Sequence, residues 1–181
     1  MNLVVAATGA SGAIYTQRLL DNLSGHEVHF ISTRHAREVQ QLELPGGLKI
    51  SDDAKQYEDD GSMFVPFVSG SAKFDAMVVI PASMGTIGRV ANGASDSTVA
   101  RAADVFLKER RKLIFVPRES PYNLIHLRNM AALTEAGATI IPASPPFYNK
   151  PKTITDLVDG VIARVLDHLG IEHNLVKRWQ Q

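Results

Sequence analysis

Arg118 and Glu119 stand side by side just after the apolar run Leu113-Ile114-Phe115-Val116 and its terminating Pro117. A guanidinium is a planar fork of donors and a carboxylate accepts or takes up a proton, so together they can hold an anion and move a proton beside it. A solvated surface ion pair is the competing reading. Upstream, Arg101 and Lys108 lie two helical turns apart on one face, while Val99, Ala102, Ala103 and Phe106 recur on another. Asp104 precedes Lys108 by one turn, so a simple pair on a solvated face is the alternative there. Two other stretches join hydroxyls to glycines: Thr8-Gly9-Ala10-Ser11-Gly12 and Ser83-Met84-Gly85-Thr86-Ile87-Gly88. Glycine lets backbone approach a ligand closely, and Ser11, Ser83 and Thr86 supply donors.

These groups act together only if the elements around them meet. Leu3 to Ala7 reads as a buried strand that runs through the first glycine turn into a helix striped by Tyr15, Leu19 and Leu23. The amides at that helix start favour a phosphate, with a plain tight turn as the equal alternative, since the G-x-x-G spacing is neither the dinucleotide motif nor a P-loop. Val28 to Ser32 is a second strand, followed by a helix from Arg34 to about Leu42; Glu43 reaches the ligand edge only if that helix is short. Leu44 to Gly70 is irregular, with a short strand or loop near Ile50 and a helix-like stretch before Gly61. Met77 to Ile80 is the next strand, and the hydroxyl-rich stretch after it reads as a loop. Asp96 or Ser97 then caps the helix that carries Arg101 and Lys108. Beyond the Leu113–Val116 strand, Ser120 and Pro121 read as the cap and first residue of a helix ending at Gly137. A last strand at Thr139–Ile141 leads into the proline-rich wall Pro142 to Pro151, with Phe147 and Tyr148. The helix Thr155–Leu169 has Arg164 beside its apolar stripe and Gly170 as its stop.

Strands alternating with helices, joined by right-handed crossovers, imply one three-layer α/β domain: a parallel sheet covered by helices on both faces. The switch point between the first glycine turn and the hydroxyl loop then gathers Ser11, Ser83, Thr86, Arg118 and Glu119 around one crevice. The chain of 181 residues is long enough for a sizeable core, and residues 171–181 form a tail whose Trp179 docks on its own body or a neighbour. Nineteen basic and nineteen acidic residues balance, so nucleic acid and anionic membranes are not expected partners. The absence of cysteine excludes disulfides, thiolate metal sites and a cysteine nucleophile. Without a basic leader or an apolar run of spanning length, a cytoplasmic location is expected.

Four blocks in order, TGASGAIY at Thr8 to Tyr15, PASMGTIGRVANG at Pro81 to Gly93, RAADVFLKERRKLIFVPRE at Arg101 to Glu119 and PASPPFYNKP at Pro142 to Pro151, resemble the UbiX-type flavin prenyltransferases. That family lies within the group of flavin-binding cysteine-decarboxylase-like folds. The resemblance spans nearly the whole chain and implies a Rossmann-like, flavodoxin-like fold. It implies binding of FMN, reduced for turnover, and transfer to it of a dimethylallyl group from dimethylallyl phosphate, at N5 and then C6. The product, prenylated FMN, would serve a UbiD-type decarboxylase.

By the same resemblance, FMN would be held by Gly9, Ala10, Ser11, Thr33, Ser83, Met84, Gly85, Thr86 and Arg118. Dimethylallyl phosphate would be held by Arg101, Lys108, Glu119, Tyr148, Arg164 and Trp179, and catalytic roles would fall to Ser11, Glu43, Ser83 and Glu119. Departure of phosphate from an allylic carbon leaves a delocalised cation, which an aromatic face stabilises, while the cations and the Tyr148 hydroxyl stabilise the leaving group without a metal. The family's homododecamer builds the site from more than one subunit. Relatives often carry cysteine where Ala82 stands and serine at the Thr33 position. Two other readings are an FMN-dependent decarboxylase of cysteine-type substrates, whose PxMN-type stretch is missing here, and a non-catalytic FMN carrier, which would not need so many cations.

Overall fold

In the computed structural model, which describes residues 1–177, six segments form one parallel sheet. They are β1 (Asn2–Ala7), β2 (Glu27–Ser32), β3 (Lys55–Glu58), β4 (Ala76–Ala82), β5 (Lys112–Pro117) and β6 (Thr139–Ile140), in the order β3-β2-β1-β4-β5-β6. The helices are α1 (Ala13–Asp21), α2 (Arg34–Glu43), α3 (Met84–Ala91), α4 (Thr98–Lys108), α5 (Leu124–Glu135) and α6 (Ile154–Leu169). Side chains alternate across a strand, and the two resulting sets seed two cores. Val4, Ala6, Met77, Val79, Leu113 and Phe115 face α3, α4 and α5. Leu3, Val5, Val78, Ile80, Ile114 and Val116 face α1, α2 and α6. A strand buried on both faces must be apolar at every position, which explains the unbroken runs at Leu3–Ala7 and Leu113–Val116.

The strand order reverses between β1 and β4, which pair directly from Leu3 and Ala76 to Ala6 and Val79. The turns leaving their carboxyl ends therefore diverge to opposite faces and leave a crevice between them. Thr8 ties its walls together: its hydroxyl donates to the Pro81 carbonyl at 2.8 Å and accepts from the Ser83 amide at 2.8 Å. On the face covered by α1, α2 and α6, Arg18 of α1 donates from Nε and Nη2 to the two oxygens of Asp159 of α6, at 2.8 and 2.9 Å. None of the described helices is long and apolar enough to cross a membrane.

Three local expectations are corrected, and one alternative is excluded. The segment before Gly61 is an edge strand, β3, and not helical. The stretch after β4 is not a loop: Met84, Ile87 and Val90 are buried at helical spacing in α3, with Ser83 as its cap. Helix α5 starts at Leu124, three residues later than Pro121, because Asn123 and His126 form a reciprocal cap in which the Asn123 side-chain Oδ1 accepts from the His126 amide at 2.9 Å. Asp104 pairs with Arg101 at 2.9 Å, not with Lys108, which pairs with Glu109. Of the two candidate caps for α4, Ser97 is the one used, its hydroxyl accepting from Ala100.

Candidate active site

Three helices begin beside the crevice, each capped by a hydroxyl residue. Thr33 accepts from Ala36 at 3.1 Å, Ser83 from Thr86 at 3.3 Å, and Ser97 from Ala100 at 3.2 Å. All three caps line one cavity of about 450 Å³, together with Gly9, Arg34, His35, Gly85, Thr86 and Arg89. A side chain at Gly9 has no room, since its Cβ would stand 2.6 Å from that of His35. The first glycine turn is thus pressed flat beneath the start of α2.

The helix starts differ in what they leave free. At α1 the amides of Gly12 and Ala13 already donate to Glu43 Oε2, at 2.8 and 2.7 Å. This overturns the expectation of a phosphate there, because a carboxylate from the end of α2 occupies the seat. At α4, Asp59 takes the Val99 amide at 3.1 Å. The amides of Arg34, His35 and Gly85, at the starts of α2 and α3, have no acceptor among the described residues. Two helix dipoles and unpaired donors at one cavity make this the anion seat of the crevice.

A second group sits around the glycine turn. Arg118 donates from Nε to the Ser11 carbonyl at 3.1 Å, while its own amide bonds to Ala82. Burial alone would raise the Glu43 carboxyl. Hydrogen bonds from the Ser11 hydroxyl and the Ala13 and Gly12 amides, with the charge of Arg118, outweigh burial and hold it below the usual range. Glu43 is therefore an anion at neutral pH. Burial pushes the nearby Tyr15 phenol up against the opposing pull of Arg118, so Tyr15 stays protonated.

The structure brings together Gly9, Thr33, Ser83, Gly85 and Thr86 at the cavity and Ser11, Glu43 and Arg118 at the adjoining turn. Ala10 and Met84 are buried beside them. Arg118 and Glu119 do not pair: Glu119 is exposed and its Oε1 accepts from the Ser120 amide at 3.0 Å. Tyr148 lies exposed in the connection after β6. Three proposed cations are elsewhere on the chain. Arg101 is half-buried on α4, and Lys108 stands at the far end of α4 beside Gly70, near the amino edge of the sheet. Arg164 is exposed on α6, across the sheet from α4, and pairs with Asp167 at 2.9 Å. Trp179 lies outside the described residues. Sequence reasoning missed Thr8, His35 and Arg89; for Thr8 the available signal was a hydroxyl at the end of a buried strand. No cluster of three or more histidines or carboxylates is placed to hold a metal ion among the described residues.

Comparison with known proteins bears on this arrangement. A family model described as Flavoprotein matches residues 1–166. The chain is 48% identical to the flavin prenyltransferase UbiX of Methanocaldococcus jannaschii, covering 99% of this chain and 98% of that one. A dodecameric FMN-dependent UbiX-like decarboxylase from Escherichia coli O157:H7 superposes with a TM-score of 0.93 at 41% identity, over the full length of both chains. AnUbiX (PadA1), solved in complex with FMN and dimethylallyl pyrophosphate, gives 0.92 at 36% identity over 99% of this chain and 97% of its own. Similarity of this extent leaves one assignment: the chain belongs to the UbiX flavin prenyltransferase family of flavoproteins.

Proposed function

We propose that this protein is a flavin prenyltransferase that joins the dimethylallyl group of dimethylallyl phosphate to reduced FMN and releases prenylated FMN. The full-length identity to a UbiX enzyme carries the reading. The crevice fits the group, because the open starts of α2 and α3 offer an anion seat and Gly9 and Gly85 keep its walls bare. Thr33, Ser83, Thr86 and the Gly9-Ala10-Ser11 turn would hold the flavin, with Met84 packed behind. When bound, reduced flavin supplies the nucleophilic N5 and C6 positions that accept the five-carbon unit.

The chain's own groups have separable tasks. Arg118 is anchored through Nε on Ser11, which leaves its terminal nitrogens to hold the bound flavin beside the place where the prenyl donor's phosphate departs. Glu119 has one oxygen on Ser120 and no partner for Oε2 among the described residues, so that atom is the acceptor for the proton lost on ring closure. Glu43 holds Ser11 in place through a hydrogen bond to its hydroxyl. Arg101, Lys108, Tyr148, Arg164 and Trp179 complete the donor site in this reading, with the distant cations supplied by other copies in a homododecamer. No metal is assigned a role. A UbiD-type decarboxylase as recipient, a cytoplasmic location and docking of the tail 171–181 belong to the same proposal.

The test is to reduce the FMN-loaded protein anaerobically, add dimethylallyl phosphate without divalent metal, and measure the mass of the extracted flavin. Gain of one C5H8 unit is expected. Unchanged FMN, with reduction and donor binding verified, would overturn the reading. A parallel arm with the diphosphate tests the form held by AnUbiX (PadA1).

A further inference from the structure

We propose that Arg89 is the residue that reads the phosphate of the bound flavin, so that this site prefers FMN to riboflavin, and that Asp96 holds the guanidinium in position. The inference rests on the flavin reading above. Arg89 lies one turn beyond Gly85 on α3, and both line the cavity. Its Nη1 would be 3.4 Å from a Cβ at position 85, so the guanidinium lies back along the first turn of α3, against the bare face of Gly85. That places a cation beside the Gly85 amide, one of the unpaired donors of the anion seat.

The other end of the fork meets a carboxylate at the exposed rim of the cavity. Arg89 Nε donates to Asp96 Oδ2 at 3.3 Å, across the turn that joins α3 to α4, and both residues line the cavity. Both terminal nitrogens lack a partner among the described residues. A guanidinium oriented by a carboxylate through Nε and open at its terminal nitrogens is arranged to grip a phosphate with two parallel bonds. Asp59, the other carboxylate at the cavity, is directed to the Val99 amide and does not hold Arg89. Gly85 is part of the device, because a side chain there would meet Nη1.

The experiment compares binding of FMN and riboflavin, by quenching of flavin fluorescence, to flavin-free wild-type protein and to Arg89→Gln and Arg89→Lys. Wild type is expected to prefer FMN. Arg89→Gln should lose roughly ten- to a hundred-fold in FMN affinity, the usual worth of charge-assisted hydrogen bonds, with riboflavin unchanged within about two-fold. Arg89→Lys should keep a preference for FMN several-fold above that of the Gln variant. Equal loss of both flavins in both variants, or no loss of FMN in Arg89→Gln, would overturn the role. Wild type that binds the two flavins equally would refute the phosphate grip while leaving the flavin reading intact. Wild type that binds neither would sink both.

Discussion

The Glu43 carboxylate lies against the first turn of α1, accepting the Gly12 and Ala13 amides and the Ser11 hydroxyl. Its ordinary value is 4.5 and the folded protein lowers it, so its contribution to stability is present above 4.5 and is lost as pH falls through the lowered value. Glu43→Gln should therefore lower stability by about 1 kcal/mol at neutral pH, where a charge at the helix start is lost. The gap between wild type and variant should close as pH falls below the carboxylate range. Thermal unfolding of both proteins from acid to neutral pH checks this; a gap that persists in acid would mean that Glu43 acts through packing and not charge. Gly9 provides a second residue-level prediction. In Gly9→Ala the new methyl must displace His35 from 2.6 Å, which pushes the start of α2 away from the turn. FMN affinity should fall by roughly ten-fold, more than an exposed alanine would otherwise cause. Titration with FMN decides it, and unchanged affinity would show that the α2 start is not part of the flavin seat.

At the level of elements, the sheet face covered by α1, α2 and α6 is held by a clasp between α1 and α6. Asp159 is 8% exposed and takes both Nε and Nη2 of Arg18. Asp159→Asn leaves the guanidinium with Asp21, 3.2 Å from Nη1, as its one remaining carboxylate among the described residues and should cost about 2 kcal/mol, lowering Tm by roughly 4–8 °C. A Tm within about one degree of wild type would show that solvent replaces the clasp. The clasp was invisible in the sequence because its partners are separated by 141 residues. The central strands were legible for the opposite reason: burial on both faces writes an unbroken apolar run into β1 and β5. Strand β3, Lys55-Gln56-Tyr57-Glu58, is a charged edge strand with no such run, and it was read as helix. Helix α3 was hidden because Ser83, Gly85 and Gly88 resemble loop punctuation, although Met84, Ile87 and Val90 carried the helical period. The glycine and hydroxyl turns of the site were readable from composition. The preference for α2 and α3 over α1 as anion seats was not, since it depends on Glu43 arriving from 31 residues away.

The whole molecule leaves an unfinished surface. Leu124, Ile125 and Leu127 at the start of α5 are 59%, 66% and 50% exposed, and Phe147 after β6 is 71% exposed. Apolar exposure on this scale marks a contact surface, in keeping with the proposed assembly. The same assembly is needed by the proposed donor site, because Arg118 is at the crevice while Lys108 stands at the opposite end of α4. If two copies share a site, one supplying Arg118 and the other Lys108, then Arg118→Gln and Lys108→Gln should each abolish prenyl transfer alone. Co-expressed in equal amounts, they should restore activity to about one quarter of wild type, because a random pairing joins two intact halves in one site of every four. Flavin mass after turnover gives the readout, with native mass spectrometry to verify mixed oligomers. Mixed oligomers without recovered activity would place both residues in a single chain's site, and a Lys108→Gln variant that keeps activity alone would remove Lys108 from the site altogether.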